Sequence, residues 1–190
     1  MRVRLWPIEA RLFLIAPFFS HAILACIVTL AASYAMVVHE KTERAAMCLA
    51  ENIYHESRGE KPSDKYVLGM LTLARVADPS PQWPKTICGA VAQQNQFSWV
   101  LDYKLATDRS EQKKWDEAKH IAYDLIENAW VHYALPKGWE CARWYKRTDG
   151  KDVSKASMKF FDTRLFPVGS FGHHTAFQER HGCKNPLPTN

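Results

Sequence analysis

The stretch AENIYHESRGE, residues 50–60, combines an amphipathic helix with three carboxylates, and the interpretation of the whole chain depends on it. Ile53 belongs to an apolar stripe at helical spacing, and Glu56 follows it three residues later, so Glu56 projects from the edge of that stripe. Glu51 lies about 160° from Ile53 around the helix and is expected to face solvent. Glu60 follows a glycine and belongs to a loop. Glu56 is therefore the carboxylate of this stretch that is placed at a core boundary.

A carboxyl group at a core boundary has the environment that a general acid requires. Burial disfavours the charged form of such a group, raises its pKa and keeps it protonated near neutral pH. The alternative is structural: Glu56 pairs with Arg58 or caps the loop that follows. Periodicity alone leaves both interpretations open.

The chain beyond residue 38 is predicted to form helices joined by loops rich in glycine and proline. A first helix covers residues 43–57. The second, DKYVLGMLTLARVA, is apolar nearly all round and should be the buried central helix, with Ser63 as its cap. A third long helix runs from a cap at Ser110 to about Trp130, because its apolar residues recur at helical spacing.

Beyond these helices the signals are weaker. The segments ECARWYKR and GSFGHHTAF are compatible with short strands or with loops. The fold class predicted is therefore mainly α, of the α+β type, with an N-terminal transmembrane helix.

That transmembrane helix is predicted from LFLIAPFFSHAILACIVTLAASYAMVV, Leu12–Val38, which contains no Asp, Glu, Lys or Arg. A helix of roughly 20 apolar residues crosses a bilayer core. Arg2, Arg4 and Arg11 precede it, so the N-terminus is expected in the cytoplasm and the rest outside the inner membrane. A cleavable signal peptide is the competing interpretation, because Ser33-Tyr34-Ala35 has the form of a cleavage site. The predicted domains are 1–38, the cytoplasmic tip and anchor, and 39–190, the catalytic domain.

The cysteines fit an oxidising compartment. Four lie beyond the anchor, and an even set of this size suggests two disulfides with three possible pairings; they are Cys48, Cys88, Cys141 and Cys183. The alternative is that some are buried free thiols.

Charge argues against a nucleic-acid partner. The formal net charge of the chain is +5. Nucleic-acid binding favours dense stripes of Lys and Arg with a stronger imbalance. So modest a surplus is compatible with an anionic polymer of the cell envelope.

Several ordered motifs resemble one family. CLAENIYHESRGE, LGMLTLARVADPSPQWPKTICGAV and QFSW, between Cys48 and Trp99, are similar to the SleB-type cell wall hydrolase family, named for spore-cortex-lytic enzymes. The resemblance continues weakly to about Phe177 through RWYKR and FGHHTAF. It implies a fold like that of lysozyme and the lytic transglycosylases, activity on peptidoglycan, and a catalytic glutamate at Glu56. One departure is Lys146, at a position where the family usually has histidine.

The chemistry implied is cleavage between N-acetylmuramic acid and N-acetylglucosamine. Glu56 protonates the leaving oxygen and then accepts a proton from the C6 hydroxyl of the sugar. A hydrolytic muramidase would need a second carboxylate, for which Asp102 and Asp108 are the candidates. The glycan strand is expected to contact aromatic and polar side chains, with no metal or cofactor; the predicted substrate-binding residues are Gln96, Phe97, Ser98, Trp99, Trp144, Tyr145 and His174.

Two other functions compete. The first is a zinc amidase that cuts the stem peptide, with ligands drawn from His173, His174, His181 and Cys183. The second is a membrane-anchored binding protein in which Glu56 is structural. Within the glycosidase interpretation, one anchor and one lytic domain suggest a phage endolysin of the signal-anchor type, released when the membrane is depolarised.

Overall fold

The computed structural model describes residues 16–93, 109–132, 135–148, 155–181 and 186. The chain divides into two units, Met1–Thr42 and Glu43–Asn190. This division lies close to the predicted domain boundary at Val38.

The first helix, α1, runs from Ala16 to Ser57. In the described part of the chain it is the one helix long and apolar enough to cross a membrane. Its large apolar side chains from Ile23 to Val38 are exposed. The hydroxyls of Thr29 and Ser33 donate to backbone carbonyls of their own helix, at 2.9 Å in both cases. These polar groups are therefore satisfied without water, as a lipid environment requires.

Four more helices belong to the second unit: α2 is Pro62–Ala77, α3 is Ile87–Val91, α4 is Arg109–His132 and α5 is Lys155–Arg164. The prediction that Ser63 caps α2 is wrong. The cap residue is Lys61, without a side-chain hydrogen bond, and Pro62 takes the first helical position. Proline suits that position because its fixed φ is already helical.

Ser110 is also not a cap, since α4 already includes Arg109. The short helix α3, in contrast, has a side-chain cap: Thr86 Oγ1 accepts a hydrogen bond of 3.1 Å from the backbone N–H of Gly89.

The prediction that α2 is the central helix is confirmed. Eight consecutive residues of α2, from Leu68 to Arg75, are buried. Gly69 allows close packing, because a Cβ there would lie 2.3 Å from Cδ1 of Leu125 on α4 and 3.3 Å from Cδ1 of Ile53 on α1. The core of the second unit is thus built where these three helices meet.

The two C-terminal segments with weak sequence signals, ECARWYKR and GSFGHHTAF, contain strands. They are β1, Trp144–Arg147, β2, Leu165–Phe171, and β3, His174–Glu179, in one antiparallel sheet of order β1-β3-β2. The predicted fold class, mainly helical and of the α+β type, is confirmed.

A disulfide joins Cys48 of α1 to Cys88 of α3, with an S–S distance of 2.03 Å. Cys141 is disulfide-bonded as well, and Cys183 lies outside the described residues. The expectation of disulfides is therefore confirmed for Cys48 and Cys88. Cys26, in the predicted anchor, is a free thiol.

Candidate active site

Glu56 lies in the last turn of α1, where helical periodicity places it at the edge of the core. Ile53, one turn earlier, is fully buried, whereas 18% of the Glu56 side chain is exposed. Glu51 is intermediate in exposure. The carboxyl group of Glu56 is thus shielded on one side and reachable from the other.

His174, the first residue of β3, lies beside Glu56. Its Nε2 lies 4.0 Å from Oε2 of Glu56, and its side chain is fully buried. The ring stacks on Phe171, with centroids 5.3 Å apart and planes 18° apart, and meets the ring of Tyr145 edge-on at 5.6 Å. These two aromatic contacts fix the plane of the imidazole next to the carboxylate.

Tyr145 of β1 belongs to a buried polar cluster with Asn52 and Thr72. The Asn52 amide nitrogen donates to Oγ1 of Thr72 at 2.8 Å and to the Tyr145 hydroxyl at 3.4 Å. Burial raises the pKa of Tyr145, and the negative charge of Glu56 raises it further, against the opposing effects of Arg75 and the two hydrogen-bonding neighbours. The phenol is therefore neutral at any physiological pH and available as a hydrogen-bond donor.

Arg75 is a fully buried cation at the end of α2. Its Nε donates to the backbone carbonyl of Arg143 at 2.5 Å. The guanidinium lies over three aromatic rings, with centroids 5.2 Å away in Trp83, 5.1 Å in Tyr145 and 6.0 Å in Trp144. Burial lowers its pKa from the usual value, whereas Tyr145 and Glu56 raise it. An arginine remains charged under such conditions, so Arg75 contributes a permanent positive charge to the site.

The match to a family model of cell wall hydrolases covers residues 59–166, more than half of the chain. The chain belongs to the cell wall hydrolase family. It is accordingly an enzyme that acts on peptidoglycan. The matched range begins at Gly59, three residues after Glu56, so the role of Glu56 has to be argued from the geometry of the site.

Among solved structures, the chain is similar to the catalytic domain of the Bacillus cereus SleB protein. The two share 24% sequence identity with a TM-score of 0.49, over 72% of this chain and 91% of that domain. None of the curated proteins compared with the chain matches it.

Three of the predicted substrate-binding residues of this cell wall hydrolase are among the described residues: His174 lies beside Glu56, Tyr145 contacts His174, and Trp144 lies near Arg75. Trp144 is partly exposed and packs on Trp83, with ring centroids 4.6 Å apart. Tyr145 is 8% exposed and His174 is fully buried, so neither presents a flat face to a sugar. Their positions suit a role in holding Glu56.

The other predicted substrate-binding residues belong to the segment between α3 and α4. Gln96, Phe97, Ser98 and Trp99 lie outside the described residues, as do both candidate second carboxylates, which are Asp102 and Asp108.

The histidines proposed as zinc ligands do not converge in the described ranges. His174 faces Glu56 from a buried position, whereas the side chain of His173 is 68% exposed and its Nε2 lies 3.9 Å from Glu60. Over residues 16–93, 109–132, 135–148 and 155–181, no group of three or more His, Cys, Asp or Glu side chains is arranged to hold a metal ion.

Sequence reasoning missed Asn52, Thr72 and Arg75 as parts of this hydrolase site. Arg75 did leave a signal, because a charged residue near the end of a helix that is apolar nearly all round must find buried partners. Asn52 and Thr72 left none, since polar residues of their kind are common on helices and their contact spans 20 residues of sequence.

Proposed function

We propose that this cell wall hydrolase cleaves the bond between N-acetylmuramic acid and N-acetylglucosamine as a lytic transglycosylase, with Glu56 as its acid and base. The observation that carries the proposal is the setting of Glu56: a carboxyl group 18% exposed, beside the fully buried His174 and interacting electrostatically with the buried Tyr145 and Arg75. Acids in glycan cleavage are held in such partly shielded positions.

Neighbouring acidic residues are engaged in structural contacts instead. Glu60 accepts a hydrogen bond from the backbone N–H of His173. Glu111 is bound by Tyr54, Arg58 and Lys114. Asp78 pairs with Arg143 at 3.0 Å. These three carboxylates of the described residues thus have structural partners, and in the proposed mechanism Glu56 serves both steps.

In the first step Glu56 donates its proton to the glycosidic oxygen while the bond from that oxygen to C1 of the muramic acid breaks. The glucosamine leaves with a hydroxyl group. The carboxylate that results is stabilised by the buried guanidinium of Arg75 and by the neutral hydroxyl of Tyr145. The charge of Glu56 raises the pKa of both groups.

In the second step the C6 hydroxyl of the muramic acid attacks its own C1. Glu56 takes up the hydroxyl proton, so the enzyme returns to its starting state and a 1,6-anhydro ring closes without consuming water.

Mass spectrometry of digested peptidoglycan tests this proposal. The full-length protein in detergent is incubated with purified sacculi, and the soluble fragments are analysed. We expect 1,6-anhydromuramic ends. Reducing muramic ends would show hydrolysis by water, and free stem peptides would show an amidase; either result would contradict the proposal.

We further propose that α1 anchors the enzyme in the inner membrane, with the catalytic domain on the outer side, and that the enzyme acts in host lysis. The exposed apolar side chains between Ile23 and Val38 and the internally satisfied hydroxyls of Thr29 and Ser33 support an anchor. The three arginines before it support the orientation.

Cell fractionation tests the anchor. The protein should be found in the membrane fraction at its full mass and be digested by protease added to spheroplasts. A shorter soluble form would instead identify a cleaved signal peptide. Collapse of the membrane potential should move the full-length protein to the soluble fraction if the anchor is of the releasable type.

A further inference from the structure

The turn between β2 and β3 is held from two sides by groups distant in sequence. Oε1 of Glu60 accepts a hydrogen bond of 3.0 Å from the backbone N–H of His173. On the other side, the backbone N–H and the hydroxyl of Thr148 donate to the His173 carbonyl, at 2.8 Å and 3.0 Å. Both backbone polar groups of His173 are thus fixed.

The glycine in this turn is shaped to the carboxylate. Gly172 has φ +48°, in the left-handed region that side chains rarely adopt. A Cβ at this position would lie 2.3 Å from Oε2 of Glu60, so the carboxylate occupies the space that any larger residue would need. The Glu60 side chain is only 9% exposed, which shows how closely the turn covers it.

The residues on both sides of this turn form the wall beside Glu56. Phe171 precedes the turn and His174 follows it, and their rings stack on each other next to the Glu56 carboxylate. Glu56 lies in the last turn of α1, and Glu60, four residues later, lies in the loop that follows. The segment 56–60 therefore meets the segment 171–174 at two points: Glu56 beside His174, and Glu60 on His173.

We propose that Glu60 is a positioning residue of the active site, which acts by holding the β2–β3 turn so that the imidazole of His174 stays beside Glu56. The proposal rests on the function proposed above. Glu60 does not contact the substrate. Its role is to accept the hydrogen bond from the backbone N–H of His173, and this acceptor need not be charged.

The test compares Glu60→Gln, Glu60→Ala and Glu51→Ala in the full-length enzyme. The glutamine keeps an oxygen that can accept from His173, whereas the alanine removes it. Glu51→Ala is the matched control, since it removes a carboxylate from the same stretch of sequence. We measure kcat and KM on solubilised peptidoglycan and the imidazole nitrogen signals of His174 by NMR.

Glu60→Ala should lower kcat by about 10- to 100-fold, the scale expected when a group near the reacting centre is misplaced by about 1 Å, with little change in KM. It should also shift the His174 signals. Glu60→Gln should restore most of kcat and return the signals towards those of the wild type, and Glu51→Ala should leave both unchanged. If Glu60→Ala does not fold, Glu60→Asp, whose shorter side chain cannot reach His173, takes its place with the same expectation.

Two results would overturn the proposal. One is unchanged kcat and unchanged His174 signals in Glu60→Ala. The other is a Glu60→Gln enzyme as impaired as Glu60→Ala, because an acceptor alone would then be insufficient. The NMR readout does not depend on which bond the enzyme cuts, so a wild type that forms no 1,6-anhydro ends would refute the proposed function while the role of Glu60 is still decided.

Discussion

At the scale of single residues, the site depends on one largely buried carboxyl group and on the buried groups that interact with it. In the proposed mechanism Glu56 donates its proton, and the buried cation Arg75, which interacts electrostatically with Glu56, stabilises the carboxylate that is left. The ring of Tyr145 contacts both neighbours of this carboxyl group: it meets the His174 ring edge-on, and the Arg75 guanidinium lies over it. The proposed acid thus lies near a buried cation and a buried neutral hydroxyl, the groups that a carboxylate formed during the reaction would need.

The hydroxyl of Tyr145 should matter for the rate and little for binding. In the proposed mechanism the Tyr145 hydroxyl donates a hydrogen bond to the Glu56 carboxylate, with which it interacts electrostatically, and Tyr145→Phe removes that hydroxyl. A hydrogen bond to a charged group contributes about 1.5–3 kcal/mol. We expect kcat to fall by about 10- to 100-fold, with KM nearly unchanged because the ring is buried. Steady-state kinetics on solubilised peptidoglycan checks this.

The control is Tyr66→Phe, which removes a tyrosine hydroxyl that bonds to Asp124 of α4 at 2.6 Å. Its kcat should match that of the wild type. A Tyr145→Phe enzyme with wild-type kcat would remove this hydroxyl from the mechanism.

The direction in which Glu56 projects was predictable because it depends only on local helix geometry. Glu56 follows the buried Ile53 by three residues, so it lies near the same face of the helix. The partners of Glu56 were not predictable, because β3 and β1 bring His174 and Tyr145 from distant parts of the chain. The burial of Tyr145 was not predictable either, since the sequence of a short strand does not show which of its faces is buried.

At the scale of helices and strands, local rules predicted those elements whose signals are strong. The apolar pattern of α2 identified the central helix. The cap at Ser63 was wrong because Pro62 offers an earlier start. The strands were ambiguous because each is short, and antiparallel pairing depends on partners that sequence spacing does not reveal.

Gly69 should be required for the packing of α1, α2 and α4. Gly69→Ala inserts a Cβ at 2.3 Å from Leu125 and is expected to lower the free energy of unfolding by about 1–3 kcal/mol. Urea denaturation measures the loss. Gly59→Ala is the control, since a Cβ there meets no atom within 4 Å; equal losses in both variants would contradict the packing argument.

Glu111 should link α4 to α1 in a manner that depends on pH. Hydrogen bonds from Lys114 and Tyr54, together with the charges of Lys114 and Arg58, lower the pKa of Glu111 to about 2. A lowered pKa in the folded state means that its contribution is present above the ordinary value of 4.5 and is lost as the pH falls towards about 2.

Thermal unfolding of wild type and Glu111→Gln as a function of pH checks this sign. The wild type should have the higher melting temperature above pH 4.5, and the difference should shrink as the pH falls towards about 2. Glu127→Gln, an exposed position on the same helix, should show no such trend. A difference between wild type and Glu111→Gln that is constant over this range would show that the carboxylate contacts do not stabilise the fold.

At the scale of the whole molecule, the chain combines a helix suited to a membrane with a catalytic unit of the cell wall hydrolase family. The sequence predicted both the membrane helix and the catalytic unit. The helix was visible as a long uncharged run, and the catalytic unit was visible from the motifs between Cys48 and Trp99. The sequence did not predict how the site is assembled, because His174 of β3, Tyr145 of β1 and Arg75 of α2 come to Glu56 of α1 from distant parts of the chain.

The most direct test of the account is the rate at which 1,6-anhydromuramic ends form with Glu56→Gln, measured beside Glu51→Gln. Glutamine keeps the volume of the side chain and removes the transferable proton, so Glu56→Gln should lower this rate by about 10²–10⁴-fold, the range typical of general acid–base catalysis. Glu51→Gln should be almost silent. Equal effects of the two substitutions, or a fully active Glu56→Gln enzyme, would contradict the assignment of Glu56 as the acid.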